Sequence, residues 1–351
     1  MNTTTTLPKA HVDARDRGGP NQPLFIASGL SKQFALRGSR KKVHAVNDVS
    51  FSIIKGETLG VVGESGCGKS TLARVLLHLI EPTSGEVIFD GDSVGHGIPL
   101  REVRQQVQMV FQDSFGSLNP RLSIVDSVAF GPIAQGKSRE QARGLALRAL
   151  QQVGLDADTF ADRFPHELSG GQKQRANIAR SLAIGPRMLV LDESVSALDK
   201  TVAAKVIRLL EQLRRELSLT YMFISHDLDV VRHVSDRVMV MYLGRIVELG
   251  SAEDVFERPK HPYTRGLLQA RPTSDPRKRT LVAPLDGEPP NPVDPPPGCA
   301  FHPRCPHAEA VCRGSVPERT AEAHDVACFM YQADSGHSQA KRVVVNFPKT
   351  P

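Results

Sequence analysis

The chain has 351 residues, 40% hydrophobic and 23% charged, which suits a globular protein of about two domains with ordinary cores. Its 44 basic and 38 acidic residues leave a net charge of +6, mixed along the chain except for short basic clusters at 37–42 and 277–279. That is a weak nucleic-acid signal, better matched by a solvated surface or one facing an anionic membrane. No apolar run approaches the roughly 18 residues that cross a bilayer, and the first twenty lack a secretion signal; a cytoplasmic location is expected unless a partner holds the protein elsewhere.

Residues 1–22 are Thr-rich and polar, with too little apolar area to offset the entropy of ordering, so a disordered tail is expected. From Leu24 to Ser52, apolar and polar residues alternate around a basic loop at Gly38, which predicts antiparallel strands. Phe34, near the end of one of these segments, suits a stacking platform for a nucleobase; a core or edge aromatic is the plainer alternative.

The apolar run Leu59–Val62 leads into Gly63-Glu64-Ser65-Gly66-Cys67-Gly68-Lys69-Ser70-Thr71, followed by a helix-like run from Leu72 to Leu79. Strand, glycine-rich loop and helix in this order read as a phosphate-binding loop, with an ordinary glycine-rich turn as the alternative. The glycines let backbone N–H groups approach an anion closely, and the helix adds its positive N-terminal end. Lys69 is the point charge for the β- and γ-phosphates, and the Ser70 hydroxyl is a ligand for the magnesium of a nucleotide.

Further along, the turn signal Pro82–Gly85 precedes a short strand, Val87–Phe89. Val107–Phe111 reads as a buried strand that delivers Gln112 to the ligand-facing end of a sheet, where it can orient water or magnesium at a γ-phosphate; a capping polar residue is the alternative. Over 138–168, Ala142, Leu145, Leu147, Ala149, Leu150 and Val153 recur at helical spacing until Gly154, which predicts a helical insertion. Leu168-Ser169-Gly170-Gly171-Gln172 opens another helix and supplies a second anion-binding helix start. The apolar strand Met188–Leu191 ends in Asp192-Glu193: Asp192 suits a magnesium-bound water and Glu193 a general base for attack on a γ-phosphate. Ser196-Ala197-Leu198-Asp199 precedes a helix with Val202, Val206, Leu209, Leu210 and Leu213 on one face. The strand Tyr221–Ile224 ends in Ser225-His226-Asp227, and His226 can donate to the γ-phosphate, although an isolated histidine is more often a structural hydrogen-bonder.

Taken together, residues 24 to about 256 resemble the ATP-binding cassette of ABC transporters. Gly63–Ser70 looks like its Walker A, Gln112 its Q-loop, Leu168–Gln172 its signature, Met188–Asp192 its Walker B, Glu193 the catalytic carboxylate, Ser196–Asp199 its D-loop and His226 its switch histidine. The order of all seven makes the match specific, and Phe34 stands where the family carries its adenine-stacking aromatic. The resemblance implies an α/β fold, the ABC-type P-loop NTPase with a RecA-like core, an antiparallel β subdomain and a helical subdomain over about 113–180. It implies that ATP with Mg2+ binds Phe34, residues 63–71, Gln112 and Asp192, the magnesium being held by Ser70, Gln112 and Asp192. It also implies a head-to-tail dimer, with Ser169, Gly170, Gly171 and Gln172 closing on the nucleotide of a partner cassette. Phe111-Gln112-Asp113, Ser117-Leu118-Asn119-Pro120-Arg121 and His261-Pro262-Tyr263-Thr264-Arg265 narrow the likeness to the oligopeptide/dipeptide importer ATPases. Two positions depart from the family pattern: Ser194 beside the catalytic carboxylate and Lys200 after the D-loop, the latter adding charge at the expected dimer seam.

Sixteen of the 25 prolines lie from Pro259 onward, where a loop-rich extension follows the cassette; Pro289–Gly298 is expected to be an extended, polyproline-like connector. The five cysteines of a cytosolic chain argue against disulfides, and four of them, Cys299, Cys305, Cys312 and Cys328, suggest a metal or cluster site. None of their spacings is that of a zinc finger. The surrounding segments resemble the C-terminal extension of the same importer ATPases, some of which carry a [4Fe-4S] cluster on four cysteines. Thiolates suit such a cluster, with zinc or free thiols as the alternatives. The domain expectation is a tail over 1–22, a cassette over 23–256, the four-cysteine extension over 257–335 and a flexible tail over 336–351.

The resemblance implies an ATPase bound peripherally to the cytoplasmic side of the inner membrane, powering import of di- or oligopeptides or similar solutes. Its partners would be a second, different cassette subunit, two transmembrane permease subunits and, through the complex, an extracytoplasmic solute-binding protein, with no nucleic acid. A soluble cassette ATPase acting on nucleic acid or ribosomes is the alternative; it lacks support from a coiled-coil insertion or a second cassette. A redox sensor rests on the four cysteines alone.

Overall fold

A computed structural model of the chain describes residues 22–36, 38–113, 116–270 and 287–340. The expected tail over 1–22 (save residue 22), the basic cluster at 277–279 and residues 341–351 lie outside the described residues. In chain order the strands are β1 (Pro23–Ala35), β2 (Lys42–Ile54), β3 (Thr58–Val62), β4 (Ser84–Phe89), β5 (Asp92–Ser93), β6 (Val107–Val110), β7 (Met188–Asp192), β8 (Thr220–Ile224), β9 (Arg237–Tyr242), β10 (Arg245–Ser251) and β11 (Asp325–Val326). The helices are α1 (Lys69–Leu76), α2 (Leu100–Gln106), α3 (Ile124–Ala134), α4 (Arg139–Gln152), α5 (Ala157–Phe160), α6 (Gly170–Leu182), α7 (Lys200–Leu217), α8 (Leu228–Val234), α9 (Ala252–Glu257), α10 (Pro262–Gln269) and α11 (Ala310–Gly314).

Two sheets result. The larger runs β11-β10-β9-β3-β8-β7-β6, with β9, β3, β8, β7 and β6 mutually parallel and β10 and β11 antiparallel at one edge. Its central strands are continuous apolar runs because both faces are covered. Leu189, Leu191, Tyr221, Phe223, Val238 and Val240 point into the core formed with the helical layer. The alternate residues Met188, Val190, Met222, Ile224, Met239 and Met241 point into a second core shared with α1 and the smaller antiparallel sheet, β2-β1-β4-β5. The alternation expected over 24–52 is thus the long β1–β2 pair.

The helical region is fixed by local chemistry. Ser138 and Gln141 form a reciprocal cap at the start of α4, and Gly154 just beyond it takes the left-handed φ of +70° that ends the run. Asp199 caps α7 by accepting from the Val202 N–H, and Val206, Leu210 and Leu213 are buried on one face.

The extension departs from expectation in two places. Loop-rich as it is, it contributes β11, which pairs Val326 with Glu248 and Asp325 with Leu249 and so adds the edge strand of the large sheet. Within the expected polyproline-like connector, residues 291–294 turn: Asn291 accepts through its side chain from the Val293 N–H (2.9 Å), an Asx arrangement that competes locally with extended backbone. At the start of the expected flexible tail, His337 is buried, in contact with the His307 carbonyl through Nε2 (2.9 Å), and the Ser338 N–H donates to Glu309 (2.9 Å). No helix among the described residues is long and apolar enough to cross a membrane.

Candidate nucleotide site

Parallel strands end on the same side, and the ends of β3, β7, β8 and β6 carry the residues singled out in the sequence. At the end of β3 the loop 63–68 turns into α1. Two of its glycines are required by space: a Cβ at Gly63 would stand 2.3 Å from the Met241 carbonyl oxygen, and one at Gly68 2.1 Å from that of Ala45. Gly68 heads α1 with a φ of +108° and no side-chain cap, so the first N–H groups of the helix are left for a ligand. Lys69 is buried beneath the loop and donates through Nζ to the carbonyls of Gly63 (2.8 Å) and Glu64 (2.9 Å). Cys67 packs against it, and burial pushes its thiol pKa up, so it is a small core residue there.

Ser70 donates through Oγ to Asp192 Oδ1 (2.9 Å), so two of the three sequence-predicted magnesium ligands already touch. Burial raises the Asp192 pKa against the opposing effect of the Ser70 hydrogen bond. Next to it Glu193 has a φ of +48°, a left-handed conformation that costs a non-glycine residue about 1–3 kcal/mol. Hydrogen bonds hold it there: its N–H donates to the Ile224 carbonyl (2.9 Å) and its own carbonyl accepts from the Ser196 N–H (3.1 Å). Gln112 donates through Nε2 to Glu193 Oε2 (2.7 Å), and His226 Nδ1 stands 3.6 Å from the same oxygen. Lys69, Ser70, Gln112, Asp192, Glu193 and His226 thus converge from four strand ends, although 157 positions separate Lys69 from His226 (226 − 69).

The cleft above them, about 280 Å³, is lined by Ser65, Gly66, Gly68, Lys69, Ser70, Thr71, Gln112 and Glu193, and at its other end by Val43, Ala45 and Pro292. Phe34 does not line it; this exposed ring lies at the end of β1, in register with Val43, with Lys32 Nζ 5.2 Å from its centre. The Ser169–Gln172 segment also lies outside the cleft lining. Ser169 and Gln172 cap the start of α6 reciprocally, and a Cβ at Gly171 would stand 2.5 Å from Val202 Cγ1 on α7. Glu64, within the predicted phosphate loop, meets two residues from the C-terminal part of the chain that the sequence did not assign to the nucleotide site: its N–H donates to Tyr263 Oη (2.8 Å), and its carboxylate is held by Arg304 (2.8 and 3.0 Å). Tyr263 stands within a motif already noted, but nothing in its sequence context pointed to this contact.

Of the four tail cysteines, Cys312 is buried and the others half-buried. Burial pushes the Cys299 thiol up to about 11 and the Cys328 thiol up to about 12, and Cys328 also feels Cys299, Cys305 and Cys312. The Cys299 N–H donates to the Cys312 carbonyl (2.9 Å). Among the described residues, however, no group of three or more His, Cys, Asp or Glu side chains takes up a metal-binding arrangement. Elsewhere, Phe111, Phe130 and Ile133 are exposed, Phe130 by 65%; Phe111 and Phe130 line a cavity of about 580 Å³ together with Gly131, Arg180 and Ile184.

Residues 46–196 match the family model of the ABC transporter domain, and residues 247–312 that of the oligopeptide/dipeptide transporter C-terminal region. A protein of Sinorhizobium fredii described as a probable peptide ABC transporter ATP-binding protein is 51% identical over 319 residues, 88% of this chain and 90% of that one. The oligopeptide transport ATP-binding protein AppF of Bacillus subtilis is 48% identical over 299 residues, 82% of this chain and 90% of its own. Among solved structures, a dimeric ATP-binding cassette in a post-hydrolysis state with ADP and Pi superposes with a TM-score of 0.58 at 30% identity, covering 65% of this chain and 98% of that one. The relatives are transporter subunits and favour that reading over a nucleic-acid or ribosome ATPase. With the nucleotide cleft, the paired sheets and these matches over most of its length, the chain belongs to the ATP-binding subunits of the peptide ABC transporters, an ATPase family.

Proposed function

We propose that the protein is the ATP-hydrolysing subunit of a membrane importer for di- or oligopeptides, held peripherally at the cytoplasmic face of the inner membrane. The observation that carries this is a cleft lined by Lys69, Ser70, Gln112 and Glu193, with Asp192 bonded to Ser70 and His226 beside Glu193. In this reading residues 63–71 bind the phosphates of ATP, and Phe34, beside Val43, stacks on the base. Ser70, Asp192 and Gln112 present the hard oxygen donors that suit Mg2+, whose chemistry there is to neutralise charge on the phosphates. Glu193 takes the proton of the attacking water, with Gln112 and His226 positioning it and the γ-phosphate. Ser169–Gln172, outside the lining of this cleft, serves the nucleotide of a second and different cassette subunit. Neither cassette alone then encloses the nucleotide. The apolar surface at Phe111, Phe130 and Ile133 receives a helix of one of two permease subunits, and the solute-binding protein joins through them.

The four-cysteine site is read as the ligand set of a [4Fe-4S] cluster. What supports it is the donor chemistry and the mutual influence of four partly enclosed thiols, not a preformed ligand geometry. The test is anaerobic purification with the neighbouring gene products, followed by ATPase assay with and without peptides and a visible spectrum. Peptide-stimulated hydrolysis in a complex with membrane subunits is expected, as is a brown chromophore lost in Cys299→Ser. Peptide-independent hydrolysis that co-purifies with nucleic acid refutes the importer, and a colourless protein with four titratable tail thiols refutes the cluster.

A further inference from the structure

The C-terminal extension lines the nucleotide cleft at one point and grips the phosphate loop beside it at another. At one end, the turn at 291–294 is fastened to β2: the His44 N–H donates to the Pro292 carbonyl (3.0 Å), and Pro292 joins Val43 and Ala45 in the cleft wall. At the other, the short helical turn His302–Arg304 delivers Arg304 to the phosphate loop. Its guanidinium meets the Glu64 carboxylate with two bonds (2.8 and 3.0 Å); its side chain is 5% exposed and that of Glu64 23%, so water screens the pair only in part. Tyr242 and the buried Phe301 pack around it: the guanidinium lies 5.9 Å from the Tyr242 ring, which meets Phe301 edge-on at 5.3 Å.

Glu64 is thereby held at three points. Its carboxylate is gripped by Arg304, its N–H is taken by Tyr263 Oη, and its carbonyl accepts from Lys69 Nζ. The lysine that serves the phosphates is therefore registered against a residue whose position the extension sets. A second effect is electrostatic: an unpaired carboxylate at 64, inside a loop built to receive phosphate, would repel the ligand, and Arg304 cancels it.

We propose that Arg304 is a positioning residue for nucleotide binding, acting through Glu64, so that the extension completes the nucleotide site of its own cassette. This rests on the reading of residues 63–71 as the nucleotide loop and adds to it.

The test measures the Kd of a fluorescent ADP analogue for the full chain in its assembled complex, in wild type, Arg304→Gln, Arg304→Lys, Glu64→Gln and the Glu64→Gln/Arg304→Gln double variant, with Lys69→Ala as control. Arg304→Gln is expected to raise Kd about tenfold, the scale of losing a charge-assisted bidentate pair, and Arg304→Lys to fall between it and wild type. In the Glu64→Gln background the same Arg304→Gln change is expected to shift Kd by less than about twofold, because its partner charge is already gone. An Arg304 that acted other than through Glu64 would have equal effects in both backgrounds, so equal effects overturn the proposal. So does an Arg304→Gln Kd within about twofold of wild type while Lys69→Ala abolishes binding. If Lys69→Ala still binds nucleotide normally, the loop reading itself fails and this inference with it. Should Arg304→Gln not fold, Arg304→Lys alone decides between a raised and an unchanged Kd.

Discussion

Glu248, fully buried on β10, is where the cassette and its extension are joined by charge. Its Oε1 accepts from the Lys260 N–H (2.7 Å) and lies 2.7 Å from His324 Nε2, while Oε2 accepts from the His261 N–H (2.9 Å). Burial alone would push this carboxyl pKa up; the hydrogen bonds from His324, Lys260 and His261 outweigh it and hold the pKa below the usual range. Glu248→Gln keeps the shape but places an amide NH2 against at least one of these donors. Losing one charge-assisted bond and stranding a buried donor costs about 3 kcal/mol. For a cooperative unit of about 250 residues that corresponds to a melting temperature lowered by about 6 °C. The assay is thermal unfolding by circular dichroism at pH 7.5 and low salt, with Glu248→Ala as a second variant. A Glu248→Gln midpoint within about 1 °C of wild type would refute the claim that an acceptor-only group is needed at this junction.

The neighbouring His261 is buried and its pKa depressed to about 4 by that burial; its Nδ1 accepts from the Tyr263 N–H, which requires the neutral ring. The unfolded chain protonates near the ordinary value of 6.5 while the folded one does not, so stability is complete above that pH. It is lost as pH falls from 6.5 towards 4, by up to about 3 kcal/mol, and His261→Asn should flatten the pH dependence of the urea midpoint in that window. Glu248, with its lowered pKa, adds stability that is present above the ordinary 4.5 and lost as pH falls through its folded value, so both groups act in the same direction. Glu193→Gln should keep nucleotide affinity while reducing turnover in the complex by about 10²–10⁴-fold; unchanged turnover would remove Glu193 as the base. Phe301→Ala, which empties a buried aromatic site against Tyr242, Tyr263 and His261, should cost about 3–5 kcal/mol, read as faster proteolysis of the extension. Lys200→Val should weaken the salt dependence of ATPase activity in the complex if exposed Lys200 pairs with an acid of the partner cassette; an unchanged salt profile would exclude that pairing.

The phosphate loop, the strand-end carboxylates Asp192 and Glu193, Gln112 and His226 were legible in the chain because each lies at a local transition, an apolar run meeting glycines or polar residues, whose period and turn chemistry are set by near neighbours. The alternation of 24–52 and the helical spacing before Gly154 belong to the same class of signal. Tertiary structure alone decided the rest. The large sheet's non-local pairing makes Gln112, Glu193 and His226 one group, and leaves the Ser169–Gln172 helix start outside the cleft it resembles a part of. The two-residue strand Asp325–Val326 is too short to show any period, and its place is set by an open edge on β10. Arg304 and Glu64 stand 240 positions apart, with only a common arginine and a common glutamate to announce them. Their meeting depends on how the extension packs on the ends of β9 and α10, a contact that no window of sequence contains.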